Sequence, residues 1–506
     1  MVAASAPRGA AAAEPTLRVP LDLATRAPLL HRAGDTGISI VRMPPRASGG
    51  GSSTIPANND NARLPSKPGP SVVQPQGRHI KLTAKVGSQS GDPTKGWLGV
   101  NMELVELPLA LSLGLANADG ALILSAAPGG PAAQAGLRFG DILVGLNGRA
   151  LANVGEVRQR IAALPPGSEA ALEAWRIAAD EGEFLQMLRR LADSGNAHVM
   201  YRLGRLYAAG SGVIRDETQA MQWFRKSADA GNAQAMTALA AALLDARGST
   251  ANDQQEALRL LRAAADKDSI EAMYRLAHIL LEGRIANKDA LEAARLFTRA
   301  SDAGHAPSMV DLGRMYANGT GVQVDAAKAA MLYRQAADLG NTAGMVNLGW
   351  LYEHGKGVET DVAKALQLYR RAVDLNNSGG MVNLALLYAN GKGVDKNEAA
   401  AVQLYRRAIG YNNSMAMNNL AWMLQGGRGV ERKEPEEAAD LMMKALDRRN
   451  EFSRQRMTQF SNGWSREFRQ AMQRRLRDAG FYSGSIDGNF RDSTIAAIDA
   501  YFNRPR

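Results

Sequence analysis

The feature that most constrains the fold is a methionine that recurs at steps of 36 or 37 residues through the middle of the chain. These residues are Met200, Met236, Met273, Met309, Met345, Met381 and Met417. Each is followed three residues later by leucine and then by a small residue. A short period repeated many times is typical of stacked supersecondary units, so the chain is predicted to contain a solenoid of seven repeats.

The clearest repeat shows what each unit is made of. Its first half has apolar or small residues at positions i, i+3, i+4 and i+7, namely Met345, Leu348, Gly349 and Tyr352. Its second half repeats this spacing at Ala365, Leu368, Tyr369 and Ala372. Each spacing places one apolar stripe on a helix, so a unit consists of two amphipathic helices that face each other. This predicts an all-α solenoid of helix-turn-helix repeats over residues 195–447.

A glycine-rich turn separates the two helices in five of the units. It has the sequence GSGV at residue 210, GTGV at 319, GKGV at 355 and 391, and GRGV at 427. A phosphate-binding loop follows a strand, whereas this turn ends a helix, so the glycines are expected to supply a positive φ. The pattern LGxxYxxGxGV with xxLYRRA resembles the Sel-one-like repeats, which are related to tetratricopeptide arrays.

Residues 95–176 have a different character. Short strand-like runs alternate with two helical stretches and are separated by glycine, proline and asparagine, which predicts a small α+β domain. GWLGV, GALILSAAPGGPAAQAGLRFGDILVGLNGRAL and VRQRIAAL follow one another in that order. This order resembles the PDZ domains of the HtrA serine proteases. A linking helix is expected at 177–194.

The PDZ resemblance implies a groove that binds protein C-terminal peptides. A peptide would add as a strand beside Asn101–Leu104, while loop amides would hold its carboxylate. The predicted peptide-binding residues are Trp97, Leu98, Gly99, Val100, Asn101, Met102, Val157 and Ile161. The alternative is a domain that only packs against the repeats.

The C-terminal segment is predicted to form a small three-helix domain at 464–506, after a linker at 448–463. Its sequence contains AGFYSG, IDGNF and the helical pattern STIAAI. This resembles the peptidoglycan-binding domain, with Arg491 where glycine is common in that family. The resemblance implies wall-binding residues at Tyr482, Asp487, Phe490 and Thr494. The alternative is a terminal unit that caps the apolar end of the solenoid.

Residues 1–94 are rich in proline, glycine and serine and lack a sustained period, so a disordered tail is predicted. The net charge of +10 is concentrated at the two ends of the chain. Nucleic-acid adhesion through the arginine-rich segment 448–477 is therefore one hypothesis, although basic ends also keep a chain soluble. No run is long and apolar enough for a transmembrane helix, and no secretory signal is recognisable at the start.

The sequence favours a scaffold over an enzyme. The stretch NNSGG resembles the nucleophile segment of trypsin-like and HtrA proteases, but Ser378 aligns with helix starts in other repeats. Cysteine is absent and no zinc, triad or phosphate-loop motif is found, so no catalytic residue, metal or cofactor is predicted.

The resulting hypothesis is a non-catalytic bacterial adaptor that binds C-terminal peptides through the PDZ-like groove and other proteins through the solenoid. Its C-terminal domain would anchor it to peptidoglycan. A protease-related or hydrolase component with an unrecognised site is the alternative. The periplasm or cell envelope is the predicted compartment, with the cytoplasm as the other option.

Overall fold

The computed structural model describes residues 77–89, 92–105, 107–178, 180–246 and 249–505. Most of the predicted disordered tail, residues 1–76, lies outside the described residues. Internal contacts divide the chain into two units, of which one ends at Ala272 and the other runs from Met273 to the C-terminus. The two units are therefore described separately.

The first unit begins with a small antiparallel sheet. Its strands are β1 (Arg78–Lys85), β2 (Gly87–Gln89), β3 (Asp92–Trp97), β4 (Val100–Leu104), β5 (Ala121–Ala126), β6 (Ile142–Leu146), β7 (Arg149–Ala150) and β8 (Glu169–Arg176). The main sheet has the order β1-β8-β6-β5-β4, with β7 paired to β6, while β2 and β3 form a separate hairpin. Three short helices accompany it: α1 (Leu107–Ser112), α2 (Pro131–Gln134) and α3 (Val154–Ala162).

The domain begins earlier than the sequence predicted. Strand β1 pairs with β8 along its whole length, from Arg78 with Arg176 to Lys85 with Glu169. Residues 78–89 and 92–94 therefore belong to this domain and not to the tail. The alternating run HIKLTAKV indicated a strand, and Ala84 within it is fully buried. Because the segment before it is rich in proline, the sequence placed the start of the domain after this strand.

The sheet buries both faces. Along β5, Ala121 and Ile123 face a core that also contains Val157 of α3. Leu122 and Leu124 point to the opposite side, where they join a second core with helices of the first repeat. Strand β5 is apolar on both faces because one face packs against α3 and the other against the solenoid.

The solenoid consists of helices of similar length. The segment 177–194 contains α4 (Glu181–Asp193). The repeat helices are α5 (Ala197–Ala209), α6 (Glu217–Asp229), α7 (Ala233–Asp245), α8 (Ala251–Asp266), α9 (Ile270–Glu282), α10 (Ala290–Asp302), α11 (Ala306–Asn318), α12 (Ala326–Asp338), α13 (Thr342–His354), α14 (Val362–Asp374), α15 (Ser378–Asn390), α16 (Glu398–Gly410), α17 (Ser414–Gly426) and α18 (Pro435–Asp447). The helix-turn-helix architecture is thus confirmed.

Capping residues fix where the repeat helices begin and end. The glycine turns take positive φ, for example 71° at Gly319 and 62° at Gly355, as predicted. At the other end an asparagine side chain accepts a backbone amide, as Asn377 does from Gly380. The same Asn377 amide donates to Thr342 Oγ1 at 2.8 Å. This cap, like those at Asn413 and Asn450, therefore also ties a repeat to the preceding one.

The small residue after each leucine makes room for a ring. A Cβ on Gly313 would lie 2.7 Å from Tyr333, and one on Gly349 would lie 2.7 Å from Tyr369. Both tyrosines are buried between the two helices of their own unit. The glycine thus allows two helices to approach closely enough to bury an aromatic side chain.

The second unit ends with three further helices, α19 (Glu451–Thr458), α20 (Arg466–Asp478) and α21 (Asp492–Asn503). Helix α19 occupies the segment that was predicted to be a linker. The apolar side chains of α20 and α21, including Phe468 and Ile498, share one core with the last repeats. Among the described residues, no helix has the length and apolar composition needed to cross a bilayer.

Candidate functional site

The first candidate site is the free edge of the sheet. Strand β4 is the last in the strand order, and within the described residues it pairs with β5 alone, through the register Val100 with Ala126 to Leu104 with Ala121. Helix α3 lies close to both β3 and β4. An edge strand beside a helix is the arrangement through which a peptide adds as a further strand.

The loop before β4 is the segment that was predicted to hold a peptide carboxylate. Gly99 has φ of 70°, and a Cβ there would lie 2.9 Å from the Trp97 ring. The carbonyls of Leu98 and Gly99 accept hydrogen bonds from the amides of Ala132 and Ala127, which fixes the loop. Neither the Leu98 nor the Gly99 amide donates a hydrogen bond to any described residue. Free amide groups of this kind bind a carboxylate.

The side chains predicted to form the groove fall into two groups. Leu98, Met102, Val157 and Ile161 belong to one buried core, and Val157 is fully buried. They therefore lie in the core of the domain. Trp97, which is 40% exposed, and Asn101 lie at its surface, while Val100 is half-buried. Contact between these residues and a peptide stays a prediction.

Charged groups fix the domain on the repeats. Glu103 of β4 accepts from Arg202 at 2.6 Å and also pairs with Arg205, both on α5. On the other side of the sheet, Arg176 binds both carboxylate oxygens of Asp141, at 2.7 and 2.8 Å. The hydrogen bonds that Arg176 donates to Asp141 raise the pKa of the Arg176 guanidinium. These pairs cannot be recognised in the sequence because their partners lie far apart in the chain.

A cavity of about 700 Å³ lies where β4 ends. Leu104 and Leu107 line it from the PDZ-like domain, and Ala197, Ala233 and other residues at the starts of α5 and α7 line it from the repeats. The sequence does not indicate this cavity. Leu104 and Leu107 are 41% and 51% exposed, and only the structure shows this exposure and what the two leucines face.

In the C-terminal domain, a buried glutamine organises the loop between the helices. Gln473 Oε1 accepts the Gly488 amide at 2.8 Å, and its Nε2 donates to the Asn489 carbonyl at 3.0 Å. The same Nε2 lies 3.3 Å from the hydroxyls of Tyr482 and Thr494. Both of these residues, predicted to bind peptidoglycan, are buried and hold the loop from within.

The other two predicted wall-binding residues are more accessible. Asp487 accepts the Asn489 amide at 2.8 Å and forms an ion pair with Arg491 at 3.1 Å. The Asn489 hydrogen bonds lower the pKa of the Asp487 carboxyl. Phe490 is half-buried against the core. Arg491, which replaces the usual glycine, therefore partly neutralises the one acidic side chain of this loop.

The suspected nucleophile Ser378 lies in the first turn of α15, and its Oγ accepts the Asn413 side-chain amide at 3.2 Å. Its neighbour Asn377 caps the helix.

Most arginines of segment 448–477 interact with other groups of the protein itself. For example, Arg454 pairs with Glu451 and with Asp499 at 2.7 Å. In the described part of the chain no cluster of three side chains suits a metal ion.

Comparison with known families identifies three kinds of module. The Sel1 repeat model matches residues 197–232, 233–269, 270–305, 306–341, 342–377, 378–409 and 414–450. The PDZ domain model matches 122–176, and the peptidoglycan binding domain model matches 465–501. All three resemblances in the sequence are confirmed.

Curated relatives match only over the PDZ region and not over a protease domain. The periplasmic serine endoprotease DegP-like protein of Rhizobium meliloti (strain 1021) is 40% identical over 88 residues, which are 17% of this chain and 18% of that protein. Its counterpart in Brucella suis biovar 1 (strain 1330) is 38% identical over 88 residues, or 17% of each chain. The chain thus spans under a fifth of the length of these relatives.

Two solved structures resemble the repeats. The Sel1 repeat protein of Oxalobacter formigenes is 24% identical, covering 56% of this chain and 83% of that chain with a TM-score of 0.46. The c5321 antigen of uropathogenic Escherichia coli is 22% identical, covering 65% and 87% with a TM-score of 0.37. The family models therefore show that the chain contains seven Sel1 repeats, with a PDZ domain before them and a peptidoglycan-binding domain after them.

Proposed function

We propose that this protein is a non-catalytic adaptor whose PDZ domain binds the C-terminal peptides of other proteins, while the Sel1 repeats bind further protein partners. The observation that carries the proposal is the free edge of β4 next to a loop whose Leu98 and Gly99 amides donate no hydrogen bond within the described residues. Together they offer a backbone ladder and a cradle for the terminal carboxylate.

The expected affinity is modest. A few backbone hydrogen bonds and one apolar side chain give a dissociation constant of about 1 μM, or about −8 kcal/mol. Partners that also engage the repeats would bind more tightly through effective concentration. The floor formed by Met102, Val157 and Ile161 is closed, so a large terminal side chain has to displace it, and a small apolar residue is the favoured last position.

Fluorescence anisotropy with a labelled peptide of sequence GSTLV tests the carboxylate cradle. The free acid is expected to bind, whereas the C-terminal amide should bind at least about tenfold more weakly because it cannot accept from both amides as an anion. A third form with N-methylated backbone amides, which cannot form the ladder, should not bind. Equal binding of acid and amide would refute the proposed mode.

A second role, adhesion to peptidoglycan, is supported by the family match at 465–501. Because α20 and α21 share a core with the last repeats, deleting the domain would expose that core, and a single substitution is the sharper test. Phe490→Ala should reduce co-sedimentation with purified cell-wall sacculi. Phe460→Ala, at an exposed phenylalanine outside this domain, is the matched control. Unchanged recovery of Phe490→Ala would leave the domain with the capping role alone.

Both roles are consistent with a location in the bacterial cell envelope. The curated relatives of the PDZ region are named as periplasmic proteins, and the wall polymer lies in the same compartment. An adaptor there would hold exported proteins near the cell wall. Fractionation of cells that produce the tagged protein measures this location, and recovery in the cytosolic fraction alone would contradict it.

A further inference from the structure

The cavity of about 700 Å³ between the PDZ domain and the first two repeats is a surface depression that is open to solvent. One wall consists of Leu104, Leu107 and Ala118 of the PDZ domain. The other wall contains Ala230 and Ala233, at the end of α6 and the start of α7. Its surface is largely apolar, and its two leucines stay about half exposed. Exposed leucines in a concave surface favour an apolar occupant.

The position of the cavity relative to β4 suggests which occupant. A peptide held by its carboxylate at Leu98 and Gly99 and added antiparallel to β4 runs from Val100 towards Leu104 as it is traced back from its C-terminus. Strand β4 has five residues, so the fifth residue from the peptide's C-terminus lies opposite Leu104. Leu104 itself lines the cavity. The sixth and seventh residues from the end therefore reach it.

Charge at the rim adds a second preference. Lys267, at the end of α8, lines the cavity, and its exposed ammonium group has no carboxylate partner within the described parts of the chain. Glu103, an acidic residue of the neighbouring strand β4, is already paired with Arg202 and Arg205. An acidic residue of a bound peptide would therefore be attracted to Lys267.

We propose that this cavity binds the upstream part of the same C-terminal peptide that the β4 edge binds. It would accept a large apolar side chain at the sixth or seventh residue from the end, with an acidic residue just before it. The inference rests on the proposed peptide-binding function. The first two repeats would then be part of the binding site, and the PDZ domain and the solenoid would bind one continuous peptide segment.

Two labelled peptides separate this inference from the function on which it rests. GSEFLGSTLV carries the apolar and acidic residues, whereas GSTLV stops before the cavity. The longer peptide is expected to bind about tenfold more tightly to the full chain. If GSTLV binds and GSEFLGSTLV binds no more tightly, the cavity proposal is overturned while the peptide-binding function stands. If neither peptide binds, both proposals fail.

A matched pair of substitutions tests the location. Ala230→Trp places a large side chain in the cavity, whereas Ala303→Trp changes an equivalent exposed alanine at the end of α10, which does not line it. Ala230→Trp should lower the affinity for GSEFLGSTLV about tenfold and leave GSTLV unaffected. Ala303→Trp should change neither. Equal weakening of both peptides by Ala230→Trp would instead indicate a distorted domain and would contradict the proposal.

Charge reversal tests the role of Lys267. Lys267→Glu should weaken GSEFLGSTLV several-fold, and the peptide GSKFLGSTLV should recover the loss with the variant but bind the unaltered protein poorly. The recovery requires direct contact, since a folding defect would not depend on the charge of the peptide. Absence of recovery would remove the acidic preference. Binding of apolar small molecules that does not compete with GSEFLGSTLV would show that the cavity has another occupant.

Discussion

The domains at the two ends of the repeat array each share an apolar core with the repeats next to them. At the N-terminal end, one face of the PDZ sheet, including Leu122, shares a core with Phe184 of α4 and with the first repeat. At the C-terminal end, the Trp464 ring stacks on Phe468 and lies edge-on to Trp422, with distances of 4.2 and 5.1 Å between the ring centroids. Both ends close the apolar interior of the array, as a solenoid requires.

The difference lies in what each end leaves available. The PDZ end keeps a free strand edge, two free amides among the described residues and an apolar cavity. In the C-terminal loop, by contrast, the Gly488 amide and the Asn489 carbonyl are bound by the buried Gln473. Backbone groups that are already paired cannot bind a ligand without losing that pairing. The comparison favours the PDZ end as the peptide-binding site and gives the C-terminal end a strong structural role.

The largest effect is expected from Phe184→Ala. The Phe184 ring is buried and lies edge-on to Phe139 at 5.4 Å between their centroids. Its removal should lower the free energy of unfolding by about 3–5 kcal/mol. Because the core is shared, hydrogen exchange should accelerate in both β5 and α5. The exposed Phe460→Ala should change stability by less than about 0.5 kcal/mol.

Faster exchange in β5 alone would show that the PDZ domain and the first repeat do not stabilise each other. The PDZ domain would then be joined to the first repeat without a shared core, and the cavity between them would have no fixed shape.

A second test compares ion pairs at the two ends. Glu103 and Arg202 are 18% and 8% exposed, whereas Glu436 and its partner Arg474 are 51% and 38% exposed. Glu103→Gln leaves a mostly buried guanidinium without its anion and should cost about 2–3 kcal/mol. Glu436→Gln should cost less than about 1 kcal/mol because water screens the pair. Urea unfolding of both variants measures the difference, and equal losses would contradict this contrast.

A third test concerns the loop of the C-terminal domain. Gln473→Leu keeps the size of the side chain but leaves the Gly488 amide and the Asn489 carbonyl without their partner. We expect a loss of about 1–3 kcal/mol and increased exchange in the loop. If instead stability is unchanged while sedimentation with sacculi is lost, Gln473 is part of a binding site and the assignment of this end is reversed.

Much of this architecture could be predicted from the sequence because it follows local rules. The spacing of Met345 and its equivalents gives amphipathic helices, and positive φ at Gly355 follows from the glycine turn. Ser378 was placed at a helix start by aligning repeats, without any structure. These features depend on residues within about one helical turn of each other.

Features that join distant segments could not be predicted. Strand β1 belongs to the sheet only because β8, which follows it by more than 80 residues, pairs with it. The cavity needs Leu104, Ala118, Ala233 and Lys267 at the same place, and no short motif connects them. Buried Tyr482 and Thr494 were assigned to a ligand because the family motif names them. The motif does not show which way a side chain points.

The smallest expected effect is an acid dependence that compares one aspartate from each end domain. Hydrogen bonding by the Thr94 side chain, followed by Lys95, lowers the pKa of Asp92 to about 2. In the C-terminal domain, Asn489 lowers the pKa of Asp487. Both carboxyls have a folded pKa below the unfolded value of about 3.9, so each stabilises the folded state above that value.

Their contribution should be lost as the pH falls below about 4, over a range that extends to about pH 2 for Asp92. Carbon NMR of the side-chain carboxyls measures the two titrations, and Asp92→Asn and Asp487→Asn should each remove one of them. Both carboxylates are partly exposed and screened by water, so the change in stability should be small at either end. A large acid-induced loss of stability that Asp487→Asn abolishes and Asp92→Asn does not would show that the loop of the C-terminal domain depends on the Asp487 carboxylate.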